Sequence, residues 1–120
     1  PDTASEVLRA ATSGHLVLST IHANNITDAI NSVVKYASST SMSEELAYDL
    51  FSRGMLGVLH QTLNGVERKI PLVSYLFANP DSTKGDQVRG IIKTGKLNLA
   101  TSIETQMTRM ARGKNIFPDL

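Results

Sequence analysis

The chain has 120 residues, enough for one domain with a modest core, at a net charge of +1 and 41% hydrophobic content. It contains no cysteine, which removes disulfides and thiolate zinc sites and fits a reducing compartment. No apolar run approaches the ~20 residues that span a bilayer, no secretory leader is visible, and a near-neutral charge with few aromatics gives no argument for nucleic-acid binding. The chain opens on Pro1 rather than Met, so a processed chain or an excised piece of a longer protein is expected.

Pro1-Asp2-Thr3 opens a helix. Asp2 or Thr3 can cap its free amide groups, and the acid opposes the positive end of the helix dipole. Ala4, Val7, Leu8 and Ala11 recur at helical spacing, and Gly14 stops the helix. Leu16-Val17-Leu18 with Ile21 then reads as a short buried strand that ends in Ser19, Thr20, His22, Asn24 and Asn25. In α/β sheets ligands gather at the carboxyl ends of strands, so this polar tip is a candidate ligand edge.

Residues 26–37 read as a helix capped by Thr27, with Ile26, Ala29, Ile30, Val33 and Val34 as its apolar stripe. A polar linker at 38–41 follows. Ser43 is a cap for the next helix, with Glu44 and Glu45 in the first turn. Leu46, Leu50, Met55, Leu56, Leu59 and Leu63 give that helix a buried face. Gly54 and Gly57 within the run cost about 1 kcal/mol each relative to Ala, and either permit close packing or mark a bend between two shorter helices.

Asn64-Gly65 is a turn signal. Residues 70–77 form the second strand, with Pro71 near its start. Asn79-Pro80-Asp81-Ser82 is a turn, and 84–94 and 100–112 are helices stopped by Gly95 and Gly113. Lys84, Arg89, Lys93, Lys96, Arg109, Arg112 and Lys114 spread over these two helices as a solvated face, or as a basic docking surface for a protein or for lipid headgroups.

Several chemistries can be weighed on residue types alone. Gly90 to Lys96 approaches a phosphate loop, but Leu97 stands where the magnesium-binding hydroxyl belongs and no apolar strand precedes it; a helix ending at Gly95 explains the glycine. His15, His22 and His60 lack the spacing of a zinc site, and no G-x-S-x-G elbow is present. Taken alone, His22 reads as a hydrogen-bonded histidine closing a loop. The Thr20 hydroxyl can orient a water or a phosphate oxygen, yet Thr is also a common strand residue. His15 is satisfied by nearby backbone or carboxylate, or takes part in chemistry. His60 lies on an apolar helix face with no catalytic role.

Read together, PDTASEVLRAATSGHLVLSTIHANN (1–25) resembles the segment that follows the Walker B region in the secretion ATPase superfamily. This superfamily comprises the motors of type II secretion, type IV pilus extension and retraction, and type IV secretion and conjugation. Its members read approximately D-P-E-T-x-x-x-A-L-x-A-A-x-T-G-H-L-V-x-S-T-L-H-T-N. The matching residues are Pro1, Thr3, Leu8, Ala10, Ala11, Gly14, His15, Leu16, Val17, Ser19, Thr20, His22 and Asn24, and the stretch corresponds to the family's histidine box. Gly57 to Leu63 is similar to "G-V-x-A-Q-R-L", Pro71 to Leu76 to the strand after it, Val88 to Gly95 to "I-R-x-L-I-R-x-G", and Met107 to Lys114 to the final helix. The chain departs from the pattern at Ala23 (usually Thr), at Asn31 and Ser32 (often Arg) and at Thr62 (usually Arg), and it lacks the four-Cys zinc module of some relatives.

The resemblance implies an α/β fold: the C-terminal portion of a RecA-like P-loop ATPase core over 1–79, followed by a small helical bundle over 80–120. It implies a fragment of a hexameric ATPase that powers type IV pilus assembly or retraction, protein secretion or conjugative transfer. Thr20 and His22 would read the nucleotide phosphate, with His15 organising the box. ATP and Mg2+ belong to the full-length enzyme and none is expected in this segment, because the Walker A loop, the acidic Walker B cluster and the arginine fingers lie upstream in relatives. The segment alone should therefore not hydrolyse ATP. The implied partners are further copies of the chain and an inner-membrane platform protein, with peripheral membrane association, a cytoplasmic location at the inner face of the bacterial inner membrane, and no direct nucleic-acid binding. The alternative is a non-catalytic interaction or regulatory domain that kept the fold without the nucleotide loop.

Overall fold

The computed structural model of the chain describes residues 3–39, 42–64, 67–80 and 87–117. The described residues are mixed α/β. They form α1 (Thr3–Thr12), α2 (Ile26–Ser38), α3 (Glu44–Gly54), β1 (Gly57–Asn64), β2 (Ile70–Phe77), α4 (Gln87–Thr94) and α5 (Ala100–Ala111). Among them no helix is long and apolar enough to cross a membrane.

The stop at Gly14 is a backbone device. Gly14 sits at φ +100°, the His15 N–H donates to the Ala10 carbonyl at 3.1 Å, and the Gly14 N–H donates to the Ala11 carbonyl at 3.4 Å. This left-handed cap satisfies the last carbonyls of α1 and turns the chain away. The expected cap at Asp2 or Thr3 falls on a residue and a side chain outside those described.

The strand expected at 16–21 does not form. Residues 15–23 have no regular secondary structure, and Leu16 and Leu18 are 75% and 89% exposed. A strand needs a neighbour to satisfy its backbone ladder, and the sheet among the described residues contains β1 and β2 alone. Local sequence carries the apolar run but not the partner it requires.

α2 begins as expected, with a different cap. Asn25 is extended (φ −162°, ψ 177°), and its Oδ1 accepts from the Asp28 N–H at 2.7 Å. The Asp28 carboxylate accepts in turn from the Asn24 N–H at 3.1 Å. Thr27 lies inside the first turn instead. Ser43 caps α3 as expected, its Oγ accepting from the Leu46 N–H at 3.1 Å.

The helix expected to run on to Leu63 ends at Gly54, and Gly57–Asn64 is strand β1. β1 pairs antiparallel with β2 from Gly57↔Phe77 to Asn64↔Ile70. Two glycines mark the change. A Cβ on Gly54 would lie 2.9 Å from the Ala11 Cβ, and one on Gly57 would lie 2.5 Å from the Phe77 ring, so both positions depend on close approach. β2 matches its expected bounds, whereas Gly65 of the hairpin turn and Asp81 and Ser82 of the next turn lie outside the described residues, as do Lys84 to Asp86 of the expected helix. Gly90 to Thr94 lie within α4, and Gly95 follows it at φ +78°, which agrees with a helix stop rather than a phosphate loop.

One apolar cluster joins Ile26, Ile30, Met55, Leu76, Ala78, Val88, Ile92 and Leu99; another joins Leu8, Val34, Ala37, Met42 and Ala47, and Phe51 packs against both. Two polar side chains lock this core. Gln106, 6% exposed, accepts from the Phe77 N–H at 2.8 Å and donates to the Phe77 carbonyl at 2.7 Å, which fastens α5 to β2. Arg89, expected on a solvated basic face, is instead 9% exposed. Its guanidinium donates to the carbonyls of Ser52 at 2.6 Å, Arg53 at 2.9 Å and Asn79 at 2.5 Å. A cation there complements the negative end of α3 and joins α3, α4 and the segment after β2.

Candidate functional site

The box residues lie along one open segment between α1 and α2. Its entry is set by the Gly14 cap, which engages His15 through its backbone. Its exit is set by Asn24 and Asn25, whose reciprocal bonds with Asp28 fix the start of α2. The reading of Asn25 as a ligand-edge amide therefore changes: its side chain serves helix capping, which withdraws its oxygen from the tip, whereas Asn24 is engaged through its backbone N–H.

His15, Thr20 and His22 are all exposed, and none makes a side-chain hydrogen bond among the described residues. His22 accordingly does not close a loop. The Thr20 hydroxyl and the His22 ring nitrogens are open to a ligand or a second surface, and each can donate or accept. No group of three or more His, Asp or Glu capable of holding a metal occurs among the described residues. Two shallow depressions, around Gly90, Ile91 and Asn98 and around Glu44, Tyr48 and Lys93, include none of the three box residues.

His60, expected on a helix face, stands on β1, half-buried and opposite Ser74. Its Nε2 lies 3.0 Å from the Ala23 carbonyl. A carbonyl accepts only, so Nε2 carries the proton. Sequence reasoning passed over this residue because the strand that carries it was read as a helix. Asn31, one of the departures from the family pattern, accepts from the Tyr48 hydroxyl at 2.8 Å and so joins α2 to α3.

Phosphate cradles combine a glycine-rich loop with a following helix N-terminus. The one stretch resembling such a loop is helix α4 with its stop. The described residues thus offer exposed donors at Thr20 and His22 and no cradle to hold a triphosphate or its magnesium.

Residues 1–72 match the family model described as type II/IV secretion system protein. No curated protein matches the chain. The match covers more than half of the 120 residues, and it contains the whole box segment, α2, α3 and β1. The chain belongs to the type II/IV secretion system protein family.

Proposed function

We propose that this chain is the C-terminal part of a hexameric secretion-superfamily ATPase that powers type IV pilus assembly or retraction, protein secretion or conjugative transfer. The observation that carries the reading is the family match over 1–72, which contains the histidine box with Thr20 and His22 exposed on it. On this reading residues 1–79 are the C-terminal part of a RecA-like core. Residues 80–120 are a helical subdomain that packs on it through Val88, Ile92 and Leu99.

The chain contributes donors rather than the nucleotide cradle. ATP and Mg2+ would be held by residues outside it. Thr20 Oγ1 and a His22 ring nitrogen would face the terminal phosphate or a water beside it, where a fixed donor is worth far more than in bulk solvent. His15 would organise the entry to the box. Exposed helices would meet neighbouring subunits or a platform protein at the cytoplasmic face of the inner membrane.

The test is ATP turnover by the full gene product that carries this chain, beside a His22→Ala variant and the 120-residue chain alone. The motor reading expects turnover in the full product, a loss of about 10²-fold in kcat on substitution, and none in the chain alone. A full product with no phosphate loop and no turnover would put a non-catalytic interaction domain in its place.

A further inference from the structure

We propose that His60 is a positioning residue for the box: by holding the Ala23 carbonyl it fixes where His22 stands. The latch itself rests on the geometry; its consequence for turnover rests on the reading of His22 given above.

Residues 16–23 have neither helix nor ladder to hold them. Their flanks are tied by the His15 N–H to Ala10 and by the Asn24 N–H to Asp28. Between those ties, the one hydrogen bond that joins 16–23 to the rest of the described residues is His60 Nε2–H to the Ala23 carbonyl, at 3.0 Å. Burial follows the tether: Ala23 is half-buried while residues 18–22 and 24 are exposed.

The donor stands on a firm support. His60 lies on the same face of the hairpin as Val58 and Leu76, and Leu76 is fully buried in the core. The imidazole has few rotatable bonds, so it transmits that position to the carbonyl it holds. Fixing the Ala23 carbonyl fixes the peptide plane that joins Ala23 to Asn24, and with it the Ala23 Cα; the next Cα back along the chain, outside that plane, is about 3.8 Å from it. The residue immediately preceding Ala23 is His22. The side chain most exposed to loss of the latch is thus the candidate phosphate reader.

The isotopically labelled 120-residue chain provides the test. In the parent, a long-range proton–nitrogen spectrum should place the proton of the neutral His60 ring on Nε2; a proton on Nδ1 alone would overturn the latch. Backbone relaxation should give Ala23 an order parameter near the rigid value of about 0.85, falling below about 0.6 in His60→Ala. His60→Gln, whose amide nitrogen can donate from near the Nε2 position, should restore it. Unchanged order in His60→Ala, or a loss that Gln does not restore, would also overturn the latch. His60 is outside both core clusters, so the Ala variant should fold; if it does not, the parent tautomer and the Gln variant decide.

In the full gene product, His60→Ala should lower kcat by up to about 10²-fold, the cost that a displacement of about 1 Å can impose, and His60→Gln should recover it. Loosened Ala23 with unchanged kcat in an active product would refute the positioning role. Loosened Ala23 in a product whose parent never turns over ATP would sink the motor reading and leave the latch standing.

Discussion

Arg89→Met keeps most of the aliphatic stem and deletes the guanidinium, so it isolates the polar clamp from the packing beneath it. Three carbonyls, on Ser52, Arg53 and Asn79, lose a charged donor at distances of 2.5 to 2.9 Å. A hydrogen bond to a charged group contributes about 1.5–3 kcal/mol, but the three share one desolvated cation, so their sum is an overestimate and a net loss of about 3 kcal/mol is expected. With a urea m-value of about 1–3 kcal/mol per M, the unfolding midpoint should fall by about 1–3 M without a change in slope. Arg89→Lys retains the charge as a point donor that cannot fork between the carbonyls of α3 and that of Asn79, and should fall between parent and Met. The assay is urea unfolding followed by circular dichroism. A Met variant within about 0.5 kcal/mol of the parent, the range of an ordinary surface substitution, would refute the clamp.

Gln106→Leu leaves both backbone groups of Phe77 without their side-chain partner, and should cost about 1–3 kcal/mol; exchange of the Phe77 amide should accelerate selectively, and unchanged protection there would contradict the assignment. Burial, reinforced by the Glu44 carboxylate, raises the Tyr48 phenol above its ordinary value. The folded state therefore holds this proton more tightly than the unfolded chain. The associated stability is fully present below the unfolded value of about 10 and declines as pH rises from there through the folded value. Tyr48→Phe should remove that alkaline decline, which urea midpoints measured across the range would report; a Phe variant with the parent's slope would locate the titration elsewhere.

Much of the framework was legible because local signals and tertiary packing agree. The 26–38 helix carries its stripe and its polar start, Ser43 announces α3, and the aliphatic run with Pro71 sets β2. The run after Gly54 failed because Met55, Leu59 and Leu63 fall at helical intervals, while what makes Leu59 and Leu63 strand residues is their pairing with Tyr75 and Pro71 across the hairpin. The 16–18 strand failed for the converse reason, since a period and a composition do not provide a neighbour. Arg89 was misplaced because arginine is a surface residue by default, and the carbonyls that bury it arrive from two distant segments. In the site, Thr20 and His22 share the exposure of the unpaired segment, including Leu16 and Leu18, which composition does not announce. Nor does it announce the roles of Asn25 and His60, because capping and tethering depend on which backbone groups come near.

The bond between Gln106 and Phe77 has a directional consequence for the sheet. Phe77 turns its N–H and carbonyl away from β1, and the alternation of an antiparallel ladder makes Tyr75, Val73 and Pro71 do the same. Gln106 occupies the first of these positions and Pro71 has no N–H to offer at the last. The outer margin of β2 is therefore blunted at both ends, with two usable residues between them. Along the outer margin of β1, by contrast, Gly57, Leu59, Gln61 and Leu63 present an unbroken row. A further strand joining this hairpin meets a continuous template on the β1 flank, so the hairpin can grow as a one-sided template for a larger sheet.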